Sequence, residues 1–189
     1  IFGAGASPAS AAAVQIVGAS GVIETLATVA QVGAVYGLAY DDGAVSGAER
    51  IFAAAYTKRL SAYATGGNDA LYVFTRTPYG WSAPTALEIP GVVAHSRPAP
   101  SADPLDIGAT SLVGKRSIGD MEVSPDGREL YLVNIAARRL EVFNLTGSAL
   151  PAHARSVPIN QGVISADPAV QADLWPFALE FFPYPLGVD

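Results

Sequence analysis

Apolar positions along this chain fall in short runs, divided by turns rich in Gly, Pro, Asp and Asn. No run keeps a helical period for long, and most alternate or stay apolar for a strand's length. Val14–Val29 predicts two strands around Gly18-Ala19-Ser20-Gly21, because Gly allows the positive φ angles of tight hairpins. Val35–Asp41 and Arg50–Tyr56 predict the next two strands, with a small polar turn between them. Asp69–Thr77 and Gly80–Pro90 follow, and Pro84 marks the latter as an edge strand. Gly91–Ser117 reads as an irregular surface loop, too long for an ordinary connection.

A second series begins after that loop. Ile118–Ser124 predicts a strand, and Pro125-Asp126-Gly127 a turn in which Pro fixes φ and Gly is free to be left-handed. Arg128–Asn134, Arg138–Leu145 and His153–Ile159 predict three more strands, with Arg138-Arg139 at a turn. Asn160–Leu174 reads as a loop, and Trp175–Asp189 as a further strand and the beginning of its partner.

The two series align with each other. Val35-Tyr36-Gly37-Leu38-Ala39-Tyr40-Asp41 lies over Ile118-Gly119-Asp120-Met121-Glu122-Val123-Ser124, and Pro176–Phe182 lies over both. A small residue or Asp precedes Leu or Met, and a bulky apolar residue follows two positions later. Units of four short antiparallel strands, repeated with variable loops, predict an all-β fold: a β-propeller segment of four-stranded antiparallel blades, part of a larger ring. In this reading residues 1–33 give the outer strands of one blade, 34–117 a blade with a long loop insertion, 118–173 a second blade and 174–189 the start of a third. A ring typically needs roughly four to eight blades. The chain is therefore expected to be a fragment of a longer protein, with a ring closed by dimerisation as the lesser alternative. The absence of an initiator Met at Ile1 points the same way.

Composition narrows the partners. The 189 residues are half hydrophobic with a formal net charge of −6, and the pI near 4.8 argues against nucleic acid, which needs a basic stripe. The pairs Lys58-Arg59, Lys115-Arg116 and Arg138-Arg139 read as solvated strand ends or turns. With no Cys, disulfides, thiolate catalysis and Cys-based metal sites are excluded. No apolar run reaches the roughly eighteen residues of a membrane span, and residues 1–21 lack the basic and apolar regions of a signal peptide.

Candidate chemistry is sparse. Asp120 opens an innermost strand, where it could face a channel and bind a cation, but Gly37 and Ala178 at the matching positions carry no carboxylate. Asp41, Asp42 and Glu49 bracket a Gly-containing turn that offers calcium oxygen ligands without the spacing of a calcium loop. Asp103 and Asp106 are weaker still. His95 and His153 are the only histidines, and both read as exposed loop residues with no nucleophile elbow nearby. Gly3-Ala4-Gly5 lacks the strand and helix of a dinucleotide site. Asn144-Leu145-Thr146 matches a glycosylation sequon by pattern. Trp81, Trp175, Phe177, Phe181, Phe182 and Tyr184 read as packing between blades, or else as a sugar- or peptide-binding face.

The motifs Val32–Asp41 with Arg50–Arg59, then Val113–Asn134, then Trp175–Phe181 resemble those of bacterial surface or secreted propeller proteins joined to adhesin-type, serine-aspartate-repeat-like B domains. More loosely, they resemble the YVTN and NHL-type propellers. The resemblance covers roughly residues 32–189. It implies a propeller and an extracellular, cell-surface or periplasmic location, and it assigns no catalytic residue. The function expected is a non-enzymatic scaffold for protein interaction or assembly. Its partners would be other protein chains, the missing part of the same chain, or a cell-surface glycan, with no cofactor. The alternatives are a lactonase- or esterase-like hydrolase with a channel-bound calcium, held by such residues as Asp41, Asp42 or Asp120, and a carbohydrate-binding module.

Overall fold

The structure is a computed structural model that describes residues 10–58, 64, 66–67, 69–90, 107–147, 150–160 and 165–181. Gly3, Gly5, Arg59, His95, Asp103, Asp106, Phe182 and Tyr184 lie outside the described residues. The fold is all-β and its sheets are antiparallel. Among the described residues the sheets do not close into a ring.

The chain opens with β1 (Ala12–Val17) and β2 (Ile23–Thr28), an antiparallel hairpin. A single helical turn, α1 (Val29–Val32), follows, its first turn held by Gln31 Oε1 accepting the Thr28 N–H. The first sheet comprises β3 (Val35–Asp41), β4 (Arg50–Ala55) and β5 (Ala70–Thr77). The far edge of β5 pairs with the short β6 (Gly80–Trp81) and with β7 (Thr85–Glu88). After α2 (Ile107–Thr110), the second sheet runs β8 (Ile118–Val123), β9 (Glu129–Asn134), β10 (Arg139–Asn144) and β11 (Ala152–Pro158), four strands in sequence order. A last helix, α3 (Pro168–Asp173), precedes an extended stretch, residues 174–181.

Three sequence expectations change. Gly80–Pro90 is two strands, because Pro84 has no N–H to give the ladder. The break at Ser82 is bridged by Ser82 N to Thr75 O (2.9 Å) and Thr75 N to Ser82 Oγ (3.1 Å). Within the expected loops lie α2 and α3; for α3 the signal was Asp167-Pro168, an N-cap whose carboxylate accepts the Ala169 N–H, followed by Pro in the first turn. Trp175–Phe181 is extended but joins no sheet, because its amides bond to carboxylates of β8 instead of to a backbone partner. The turn at Pro125–Gly127 is as expected, with Gly127 at φ 69° and its N–H donating to Ser124 O.

Two apolar layers hold the molecule together. Phe52, Ala54, Leu71 and Val73 on one face of the first sheet pack against Ile118, Met121, Leu130, Leu132, Phe143 and Leu145 of the second. On the opposite face Ala53, Ala55, Ala70, Tyr72 and Phe74 pack against Val14 and Ala27 of the hairpin and Val32 of α1. This is why β4 and β5 are apolar on both sides: each is sandwiched, and burial at roughly 25 cal/mol per Å² favours apolar residues at every position.

Candidate functional site

Inner edges of the two sheets meet, and glycines let them. A Cβ on Gly37 would overlap the Gly119 carbonyl, and one on Gly119 would lie 2.5 Å from Phe177 O. Both positions therefore require glycine, and β3, β8 and residues 174–181 come to lie side by side. Asp120 N donates to Phe177 O (2.9 Å), Leu179 N points at Asp120 Oδ2 (3.5 Å) and Phe181 N donates to Glu122 Oε2 (2.9 Å). The partners advance together, so the segment runs parallel to β8. The three stretches border an open groove of about 530 Å³ lined by Leu38, Tyr40, Asp120, Glu122, Leu179 and Glu180.

The groove is rich in acceptors. Two of its carboxylates hold the neighbouring backbone, so they fix the segment's register and leave Glu180 exposed toward solvent. Tyr40 donates its hydroxyl proton to Glu49 Oε1 (2.9 Å), and that hydrogen bond raises its pKa. It therefore stays a neutral donor at physiological pH.

The sequence-derived metal candidates do not converge. Asp41 is 1% exposed and forms a buried ion pair: Arg50 Nε (3.0 Å) and Nη2 (2.8 Å) both donate to Asp41 Oδ2. Ser46 Oγ donates to the same oxygen, and Gly43 N donates to Oδ1. Arg50 Nη2 also donates to Leu145 O of the second sheet (2.8 Å), so the pair ties the sheets together. Asp42 is exposed and accepts the Ala44 N–H. Asp120 Oδ1 accepts the N–H of Met121. Among the described residues no three His, Asp or Glu side chains form a group that could hold a metal ion.

His153 is exposed, as expected, but it sits on the edge strand β11 and not in a loop, with its ring edge-on to Phe143. Its Nε2 lies 2.9 Å from Glu141 Oε2. Glu141 is fully buried and also accepts from Asn134 Nδ2 (2.9 Å), Arg139 Nε (2.6 Å) and Ser156 Oγ (2.5 Å). Burial alone would raise the Glu141 pKa, but these four hydrogen bonds outweigh it and hold the carboxyl below the ordinary range. Asn134 Nδ2 and Arg139 Nη2 also donate to Pro90 O, a second polar link between the sheets. Serine, histidine and carboxylate thus come together, yet not as a nucleophilic relay. In such a relay the two imidazole nitrogens face the hydroxyl and the carboxylate separately. Here Nε2 faces both, and Ser156 Oγ is 3.5 Å away, with its hydrogen bond committed to Glu141. The sequence could not show this cluster, because its members come together only through strand pairing: Glu141 opposite Leu132 and Ser156.

Aromatic side chains are engaged in packing. Phe177 contacts Tyr36 (4.6 Å) and Tyr56 (6.0 Å), and Phe181 meets Tyr131 edge-on at 5.1 Å. Trp81 lies beneath Arg76. Arg138 lies in the turn before β10, as expected, but is only partly exposed: its guanidinium stacks 4.1 Å from the Trp175 ring centre and donates to Gln171 O and Ala172 O at the end of α3. Asn144 is exposed, and its Oδ1 accepts from both Thr146 N and Thr146 Oγ1.

No protein-family model matches this chain, and neither a curated protein nor a solved structure matches it.

Proposed function

We propose that the chain is a segment of a β-propeller-type scaffold, non-enzymatic, working outside the cell or at its surface by contact with other protein chains. The observation that carries this reading is the side-by-side, parallel run of β3, β8 and residues 174–181, with Gly37 and Gly119 at their closest approaches. Stacked four-stranded sheets whose first strands crowd together around a common groove are how propeller blades meet at their axis. The three aligned sequence motifs supply β3, β8 and the segment beside them, and the resemblance to secreted propellers supports the location.

The groove supports contact more than chemistry. Asp120 and Glu122 are bonded to backbone amides, and the buried Glu141 cluster is closed on itself. A crystal structure or cryo-EM map tests the architecture: first strands arranged about one axis are expected, and sheets closed as a two-layer sandwich with no axis would overturn it. Ester and lactone hydrolysis measured with and without calcium tests the activity. Turnover above the buffer blank that calcium enhances would replace the scaffold with a hydrolase.

A further inference from the structure

Two asparagines of the second sheet use their side chains in opposite ways. Asn134 is fully buried, and both ends of its carboxamide serve the fold: Nδ2 donates to Pro90 O and Glu141 Oε1, and Oδ1 accepts the Ala137 N–H. Asn144, the last residue of β10, is exposed. Its Oδ1 accepts from Thr146 N (2.8 Å) and Thr146 Oγ1 (2.7 Å). A backbone N–H can only donate, so the carboxamide atom that faces Thr146 is the oxygen. Nδ2, on the other branch of the same planar group, is thereby turned away from Thr146, and none of the described residues accepts from it. The backbone beneath is fixed as well. Leu145 is fully buried, its N–H donates to Arg128 O (2.8 Å), and its carbonyl accepts from Arg50 Nη2 (2.8 Å). This buried residue between two exposed ones anchors Asn144 and Thr146 at the end of the sheet, outside both apolar layers. No other asparagine of the chain stands two residues before Ser or Thr. The Asn-x-Thr acceptor pattern thus falls on an amide nitrogen that packing and hydrogen bonding leave open to a reagent.

We propose that Asn144 Nδ2 is a glycosylation site, taking a sugar from a donor activated by a diphosphate at C1. In the transfer Nδ2 attacks C1, and the C1–O bond to the diphosphate breaks. The diphosphate leaves with the bonding electron pair, and the Nδ2 proton passes to a base of the transferase. Thr146 positions the acceptor, because its N–H and hydroxyl together hold Oδ1 and so fix where the nitrogen points. The sugar costs the fold little. Asn144 is exposed, so no buried contact breaks, and it stands at a strand end, so the faces of the sheet stay free to pack. The inference goes beyond the scaffold reading and does not depend on it.

The test uses the full chain purified from the cells that produce it. Trypsin cuts after Arg139 and Arg155, and the peptide Leu140–Arg155 holds Asn144 as its one asparagine. Fragmentation mass spectrometry of that peptide is expected to place a sugar on Asn144. Thr146→Ser keeps the hydroxyl and should retain the sugar, whereas Thr146→Ala should lose it. Should Thr146→Ala fail to fold, as read by urea unfolding, Asn144→Gln serves in its place and should lose the sugar too. A bare Asn144 in the natural chain overturns the proposal. So does a sugar carried on Thr146 or Ser148 instead, or one that survives Thr146→Ala. Fractionation of the same cells separates this inference from the proposed location. A chain found at the surface with a bare Asn144 ends the inference and leaves the location standing; a chain held inside with a modified Asn144 does the reverse.

Discussion

Removing the Asp41 carboxylate tests how the two sheets are held together. In Asp41→Ala the Arg50 guanidinium keeps its place between the sheets, 1% exposed, and loses the oxygen that accepts from both Nε and Nη2. Coulomb attraction between the two charges is not the quantity to quote, because forming the pair also removed both ions from water. The relevant comparison is a buried pair against a buried cation whose negative partner is gone, which costs about 3–5 kcal/mol. The Ser46 and Gly43 donors lose their acceptor too, which loosens the 41–50 turn. Urea unfolding followed by the fluorescence of Trp81 and Trp175 is the assay; the midpoint should fall with the slope unchanged. In Asp41→Ala/Arg50→Met no charge is left buried, so the double variant should recover about half or more of the loss. A single-variant cost below about 1 kcal/mol, the range of exposed pairs, would refute the reasoning. So would a double variant as unstable as the sum of the two singles.

Three further outcomes are expected. Gly119→Ala should cost about 1–3 kcal/mol in the same unfolding assay, since the new methyl must push Phe177 away, and the Asp120 amide should lose hydrogen-exchange protection. Glu129 pairs with Arg155 and accepts from Tyr131, so its carboxyl is held at about 2. A lowered folded pKa stabilises above the ordinary carboxyl value and is lost as pH falls from about 4.5 toward 2; because both side chains are partly exposed, the effect should stay within about 1 kcal/mol. NMR titration should show the Glu129 pKa moving up toward its ordinary value in Arg155→Ala. Glu141→Ala should cost about 3 kcal/mol or more, because it removes the common acceptor of Arg139, Asn134, His153 and Ser156; Glu141→Gln should be milder, and because a lowered carboxyl pKa stabilises above the ordinary value of 4.5 and that contribution is lost as pH falls below it, the variant's stability should fall less than the parent's below about pH 4.5, as checked by unfolding at each pH.

Strand positions were legible because local patterning sets them. Val35–Asp41 and Ile118–Val123 read as strands from composition and turn signals alone, and both form. Residues 174–181 were misread for a physical reason. "PFALEF" has the apolar pattern of a strand, but a strand needs a backbone partner, and which partner is present depends on residues far away in the sequence. The same holds for function. Asp41 looked like a cation ligand in its turn, but Arg50 lies opposite it across the β3–β4 ladder and takes its oxygens. His153 looked like a loop residue because Glu141 becomes its neighbour only through the register of β10 with β11. Spacing along a chain reports i, i+2 and turn contacts well; cross-strand polar partners are set by register, which no local window contains.

Those cross-strand groups also bear on how the sheets find their alignment. The two apolar faces attract without direction, since the hydrophobic effect scales with area and has no preferred register. Directional groups are needed to choose one arrangement, and in this molecule they sit at the joints. Arg50 reaches from the first sheet to Leu145 O in the second. Asn134 and Arg139 reach from the second back to Pro90 O beside the first. Each donor is in turn fixed by a buried carboxylate, Asp41 for Arg50 and Glu141 for the other two. A one-residue slide of either sheet would break both links and strand those carboxylates' partners in an apolar layer. If the sheets are aligned in this way, then replacing both links by apolar residues should leave stability nearly unchanged, because buried pairs contribute little net. Uniqueness should suffer instead: the variant Asp41→Leu/Arg50→Met/Asn134→Leu/Arg139→Met/Glu141→Leu should unfold near the parent's midpoint yet show broadened or doubled amide resonances along β4, β5, β9 and β10. A single sharp set of resonances would mean that packing shape alone selects the register, and the polar links would then be passengers of the fold.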